Sequence, residues 1–225
     1  MTDAGAGRRI AVAMRANLLP GIGLWAVAAA VVLAYYQMPT TRDTFAAVSG
    51  WKAEHGYLFS AVANALAGGV LPWLIAAALG RGARRADLLF LAGLCAWRAI
   101  EVDTLYRLQG WWFGDGTDAG TVAIKVAVDQ LTYSALWSAP TTIAAMHWRS
   151  GGFTGAALRE ALTWRTIAAS WWPLVAANWM VWTPTCAFVY SLPADLQIPL
   201  FCLASCFWML VVLVILAPAR GAGRD

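Results

Sequence analysis

Charge is scarce in this chain. Only 12% of its 225 residues are Asp, Glu, Lys or Arg, about half the share of a soluble globular domain. Histidine is scarcer still, with His55 and His147 alone, too few to ligate a membrane desaturase or a similar redox centre. The four cysteines, Cys95, Cys186, Cys202 and Cys206, all fall inside apolar runs. There they read as small buried hydrophobes, not as a disulfide framework or a zinc site. Phosphate-cradling glycine loops and nucleophile motifs are missing. No metal, no cofactor and no enzymatic activity is therefore expected. The net charge of +4 is spread beside hydrophobic runs instead of forming one patch, so no nucleic acid is expected either.

What is abundant is apolar surface: 60% of the residues are hydrophobic, with 14 Trp and 20 Gly. This composition points to an all-α membrane protein, with interfacial aromatics and close-packing glycines. Six apolar stretches, at 17–36, 57–79, 86–108, 121–148, 168–190 and 196–217, are long enough to span a bilayer as helices. They make one transmembrane helical domain over 1–225. The intervening 37–56 reads as a polar loop, and 154–164 as a short helix lying on the membrane, with Leu158 and Leu162 on one face. Gly68, Gly69 and Pro72 inside the second stretch predict a kink or a close helix contact.

Lysine and arginine set the orientation. Eleven lie at the N-terminus, the second and fourth loops and the tail, against three (Arg42, Lys52 and Arg107) in the other loops. Both termini are thus expected on the cytoplasmic or matrix side of a six-helix bundle. Richness in Ala, Arg, Gly and Trp favours a bacterial inner membrane over a mitochondrial or peroxisomal one.

Arg98, Glu101, Asp103, Lys125 and Asp129 lie inside these stretches, where charge is expensive and usually faces a bundle interior or a water-filled path. Depth suggests partners. At about 1.5 Å per residue, Arg98 and Asp129 both lie roughly 18 Å from the inner face, with Glu101 at roughly 22 Å and Lys125 at roughly 24 Å. The expectation is that Arg98 pairs with Asp129 and Glu101 with Lys125 across the third and fourth helices. Such a set either closes into an ion-pair network that pins the helices or, with Gln130 and Asn178, lines a polar path. Pro140, Pro173 and Pro184 would bend helices around such a path.

The last two stretches form a hairpin in which Pro193 is expected to stop one helix and Asp195 to cap the next. Trp182-x-Pro184, then Pro193, a long polar residue at Gln197 and Trp208 follow in order, with Lys125-x-x-x-Asp129-Gln130 upstream. This arrangement resembles the peroxisomal membrane protein 22 kDa family, which includes the mitochondrial protein Mpv-seventeen. The resemblance covers residues 103–210, with Gln197 standing where that family usually has Arg. Family members are often drawn with four spans. The resemblance implies a pore or channel for small solutes or ions, partnered by the lipid bilayer. The alternative is a non-transporting structural or stress-related membrane protein; the sequence does not fix the oligomeric state.

Overall fold

A computed structural model describes residues 3–16, 18–80, 84–114, 116–192 and 194–216. Among the described residues the chain is helical without strands. The helices are α1 (Asp3–Ala16), α2 (Leu18–Gln37), α3 (Pro39–His55), α4 (Tyr57–Ala78) and α5 (Arg85–Phe113). Next comes α6, continuous through Ala119–Val128, Asp129–Ser138 and Ala139–Ser150, followed by α7 (Gly155–Ala161), α8 (Trp164–Tyr190) and α9 (Ala194–Ile215). Each of the six apolar stretches is helical over nearly all of its described residues.

Of these, α4 is long and apolar enough to cross a membrane, and α2 with α3 makes a second if that bent pair is one broken span. α5 and α6 carry the interior charges, which lowers their apolarity. α9 contributes a shorter apolar helix, Leu200–Ile215, which is buried at Leu210, Val211 and Val212 and packs against α8, α4, α1 and α2. The main core gathers around it from Leu91 on α5, Ile143 and Met146 on α6, and Leu174 and Val175 on α8.

Residues 37–56 are not a loop. Proline disfavours a helical residue before it, and Met38, ahead of Pro39, is extended (φ −119, ψ 110). Pro39 itself suits the first turn of a helix, so the chain restarts as α3 after a 107° bend. Arg42 reaches back across the bend to the otherwise unpaired carbonyls of Tyr35 (2.9 Å) and Tyr36 (2.7 Å). The short helix at the fourth loop is α7; it turns Ala157 and Ala161 inward and leaves Leu158 and Leu162 exposed.

Two helices contain widened turns with i→i+5 hydrogen bonding, Ala65–Val70 in α4 and Asp129–Ser138 in α6. Each ends two residues before a proline, Pro72 or Pro140. Proline has no N–H and crowds the preceding turn, and a wider turn relieves that crowding. In the i→i+5 register the carbonyl left without a donor by Pro140 is that of Ala135. The Trp171 indole N–H donates to it at 2.8 Å, and Trp179 donates to Gln130 O at 3.0 Å. The widened segment of α6 is thus held by tryptophans of α8.

Gly68 and Gly69 sit in the widened turn of α4, facing α5. A Cβ on Gly69 would lie 2.6 Å from the Ala92 Cα, so only glycine allows this approach. Ser60 meets Asp103 and Asn64 meets Cys95, which makes α4 and α5 antiparallel. Pro193 and the side chains of Asp195 and Gln197 lie outside the described residues, as do Arg81 and the tail.

Candidate functional site

The register between α5 and α6 decides where the interior charges fall. Asp87 meets Arg149 (3.0 Å), Arg98 meets Thr142 (3.1 Å), Glu101 meets Tyr133 (3.0 Å), and the Gln109 side chain meets the Lys125 carbonyl (3.2 Å). The helices are antiparallel, and this register puts Asp129 level with Tyr106. Arg98 is eight residues before Tyr106 on α5, about 12 Å along the axis.

The expected cross-helix pairs therefore do not form. Arg98 pairs with Glu101 one turn along its own helix at 2.6 Å. Its other amino group reaches the Thr141 hydroxyl and the Ser138 carbonyl of α6. Glu101 also accepts from Tyr133 and, at 2.9 Å, from the Trp137 indole. Residue counts taken from a membrane face do not give the depths of these two helices. α5 runs on to Phe113, well past the expected end at residue 108, so equal counts from the two ends do not mean equal depth. Lys125 has no acidic partner among the described residues.

Asp129 is 6% exposed and has no cation beside it among the described residues. Its carboxylate accepts from Ser134 Oγ (3.2 Å), Cys186 Sγ (3.7 Å) and Tyr190 OH (3.5 Å). Next to it, Asn178 Nδ2 donates to Gln130 Oε1 at 2.9 Å, and Gln130 Nε2 faces Cys186 Sγ at 3.8 Å. Cys186, read from the sequence as a plain core residue, belongs to this polar cluster.

All of these groups except Tyr190 border a cavity of about 80 Å³ lined by α4, α5, α6, α8 and α9. Arg98, Asp129, Gln130 and Asn178 all line it, so four of the residues singled out from the sequence share one space. Of the hairpin residues, Trp182 and Trp208 line it as well, and Trp182 packs against Phe201 with the rings tilted by 42° and their centroids 5.5 Å apart. Pro184 lies inside α8.

Tyr106 borders this cavity and two others. One, of about 310 Å³, is lined by Lys52, Ser60, Asp103 and Arg107; Asn64, Val102 and Phe201 also stand between it and the inner cavity. The other is an open vestibule of about 1130 Å³ that includes Lys125, Gln109 and Trp111. Asp103 is the anchor of this outer region, accepting from Ser60 (2.7 Å) and Arg107 (3.2 Å), with Lys52 at 3.9 Å. Tyr106 packs edge-on against Tyr190 at 5.4 Å, so an aromatic pair separates the inner cavity from the vestibule.

Sequence reasoning passed over Asn64, Tyr106 and Asp87. A lone amide among Ala and Val, the signal that marked Asn178, also marks Asn64. Asp87, 1% exposed between Arg84 and Arg149, could have been read as an acidic residue in a first helical turn beside a basic cluster. Tyr106 carries no such signal. Among the described residues no group of three His, Cys, Asp or Glu could hold a metal ion. The chain matches no family model, no curated protein and no solved structure.

Proposed function

We propose that the chain is an integral membrane protein, a bundle of about six spans with both termini inside, that passes small solutes or ions through its inner cavity. The observation that carries this reading is the inversion of polarity. Asp129, Gln130, Asn178 and Asn64 are buried, whereas large apolar side chains such as Leu19, Leu66, Leu136, Trp137 and Trp164 are exposed on several helices. Exposed apolar surface on this scale suits lipid as the surrounding solvent. Interior polar groups around a space then mark a pathway. The resemblance to the peroxisomal membrane protein 22 kDa family agrees with a pore, the basic bias of the loops with both termini inside, and the richness in Ala, Arg, Gly and Trp with a bacterial inner membrane.

The purified chain in liposomes is expected to give single-channel currents or solute leak above that of empty vesicles, and Gln130→Leu with Asn178→Leu to reduce it. Equal leak from empty and loaded vesicles would remove the pathway reading. For topology, cysteines placed at Thr117 and Ser191 should label from one side and a cysteine at Gly152 from the other. The second reading, a non-transporting structural protein, is favoured by the Arg98–Glu101 network, in which each charge is paired and tied to α6.

A further inference from the structure

We infer that the inner cavity is a binding site for a small alkylammonium ion, an organic cation that donates N–H hydrogen bonds. The inference rests on reading the cavity as the solute site and names the class of solute.

Charge balance comes first. Among the described residues Arg98 is the cationic group in the cavity wall, and its charge is matched by Glu101 at 2.6 Å. The Asp129 carboxylate is left over, held by three uncharged donors. A buried carboxylate without a partner is costly, and one positive charge in the cavity removes that cost. The basic groups Lys52, Arg107 and Lys125 border the spaces beyond Tyr106 and do not line this cavity.

Hydrogen bonding points the same way. Asn64 is 3% exposed, and its Nδ2 donates to the Cys95 carbonyl at 2.9 Å. Its Oδ1, without a donor among the described residues, lies toward Gly68, where an added Cβ would come within 3.0 Å of it, and so leaves the acceptor role in the cavity to Asp129. The cavity thus offers the Asp129 carboxylate, an acceptor, to a ligand that brings hydrogens. An anion adds to the excess charge, and a neutral polyol leaves it uncompensated. A hard metal ion wants six or more oxygens.

The walls select an organic cation over bare ammonium. Tyr106, Tyr133, Trp182, Phe201 and Trp208 all contribute to the lining, and aromatic faces attract alkylated ammonium groups while burying their carbon. The 80 Å³ is several times the roughly 10–15 Å³ that one water needs, enough for a cation of a few heavy atoms.

The test is a titration of the full-length protein in detergent with methylammonium chloride at constant ionic strength, followed by tryptophan fluorescence and calorimetry. Saturable binding is expected, with no saturable response to methanol or acetate. Asp129→Asn should weaken it by more than about tenfold, as removal of one member of a buried charge pair does. Asp129→Glu should retain binding; thermal melting of each variant identifies any that fail to fold. Folded wild type without saturable methylammonium binding overturns the inference. So does Asp129→Asn binding as wild type does, and so does calorimetry showing that Asp129 takes up only a proton. Binding without liposome flux upholds the site and defeats the pathway reading; flux without binding does the reverse.

Discussion

Glu101 and Asp129 are two interior carboxylates on neighbouring helices, and their surroundings differ in kind. Glu101 has a guanidinium at 2.6 Å, a phenol and an indole, and the Arg98 that serves it is itself spent on α6 hydroxyls and a carbonyl. Asp129 has a serine, a thiol and a phenol, with open space beside it. The first arrangement is closed: each charge has its counter-charge, and the result ties α5 to α6. The second is open, with a charge facing room for a guest. A bundle can thus hold one carboxylate for architecture and another for a ligand, and the distinction lies in what surrounds each.

The largest effect should come from opening the closed site. Arg98→Ala leaves Glu101, whose side chain is only 12% exposed, without its counter-charge, and breaking a buried pair typically costs about 3–5 kcal/mol. Thermal or denaturant unfolding in detergent measures it. Arg98→Ala with Glu101→Ala should recover part of the loss, whereas Arg98→Ala with Asp129→Ala should be additive. Strong coupling between Arg98 and Asp129 would contradict the register found for α5 and α6.

A smaller loss is expected from Trp171→Phe. It removes the donor to the Ala135 carbonyl that Pro140 leaves bare, at a cost of about 1–3 kcal/mol for an unsatisfied buried acceptor. Pro140→Ala in that background should recover stability by restoring a backbone donor. Failure to recover would show that the indole contributes packing alone.

Asp129→Asn should change stability by less than about 1 kcal/mol, because it removes an uncompensated charge while keeping the shape. Loss of several kcal/mol would mean that Asp129 has a structural role like that of Glu101.

The smallest effect is expected at Asp118, which caps α6 by accepting from the amides of Gly120 and Thr121, both at 3.0 Å. The Thr121 hydroxyl, also donated to Asp118, holds this carboxyl below its usual range. A carboxylate lowered on folding stabilises the fold above its unfolded pKa and loses that contribution as pH falls through the folded one. Asp118→Ala should therefore flatten the acid side of the stability profile slightly, without altering the neutral-pH difference between Arg98→Ala and Asp129→Asn.

Hydropathy made the helices at the six apolar stretches legible, because a run of apolar residues has few other ways to satisfy its backbone. It did not reveal α3, since its Thr, Ser, Lys and Glu give no apolar periodicity and none of its residues is buried. Four cavity residues were visible as polar side chains stranded in apolar runs. Tyr106 and Cys186 were not, because an aromatic and a thiol are ordinary in any core.

The sequence by itself determined that the chain is helical, where its apolar helices fall, and that charges and amides of α5, α6 and α8 lie in the interior. Those properties depend on composition and local pattern. Only the tertiary structure decided which charge meets which. Antiparallel register depends on where each helix begins, on the widened turn before Pro140 and on the bare backbone of Gly69, and a shift of one turn exchanges every partner. That register set Arg98 and Glu101, already paired within α5, against the hydroxyls and indole of α6 and left Asp129 facing a cavity.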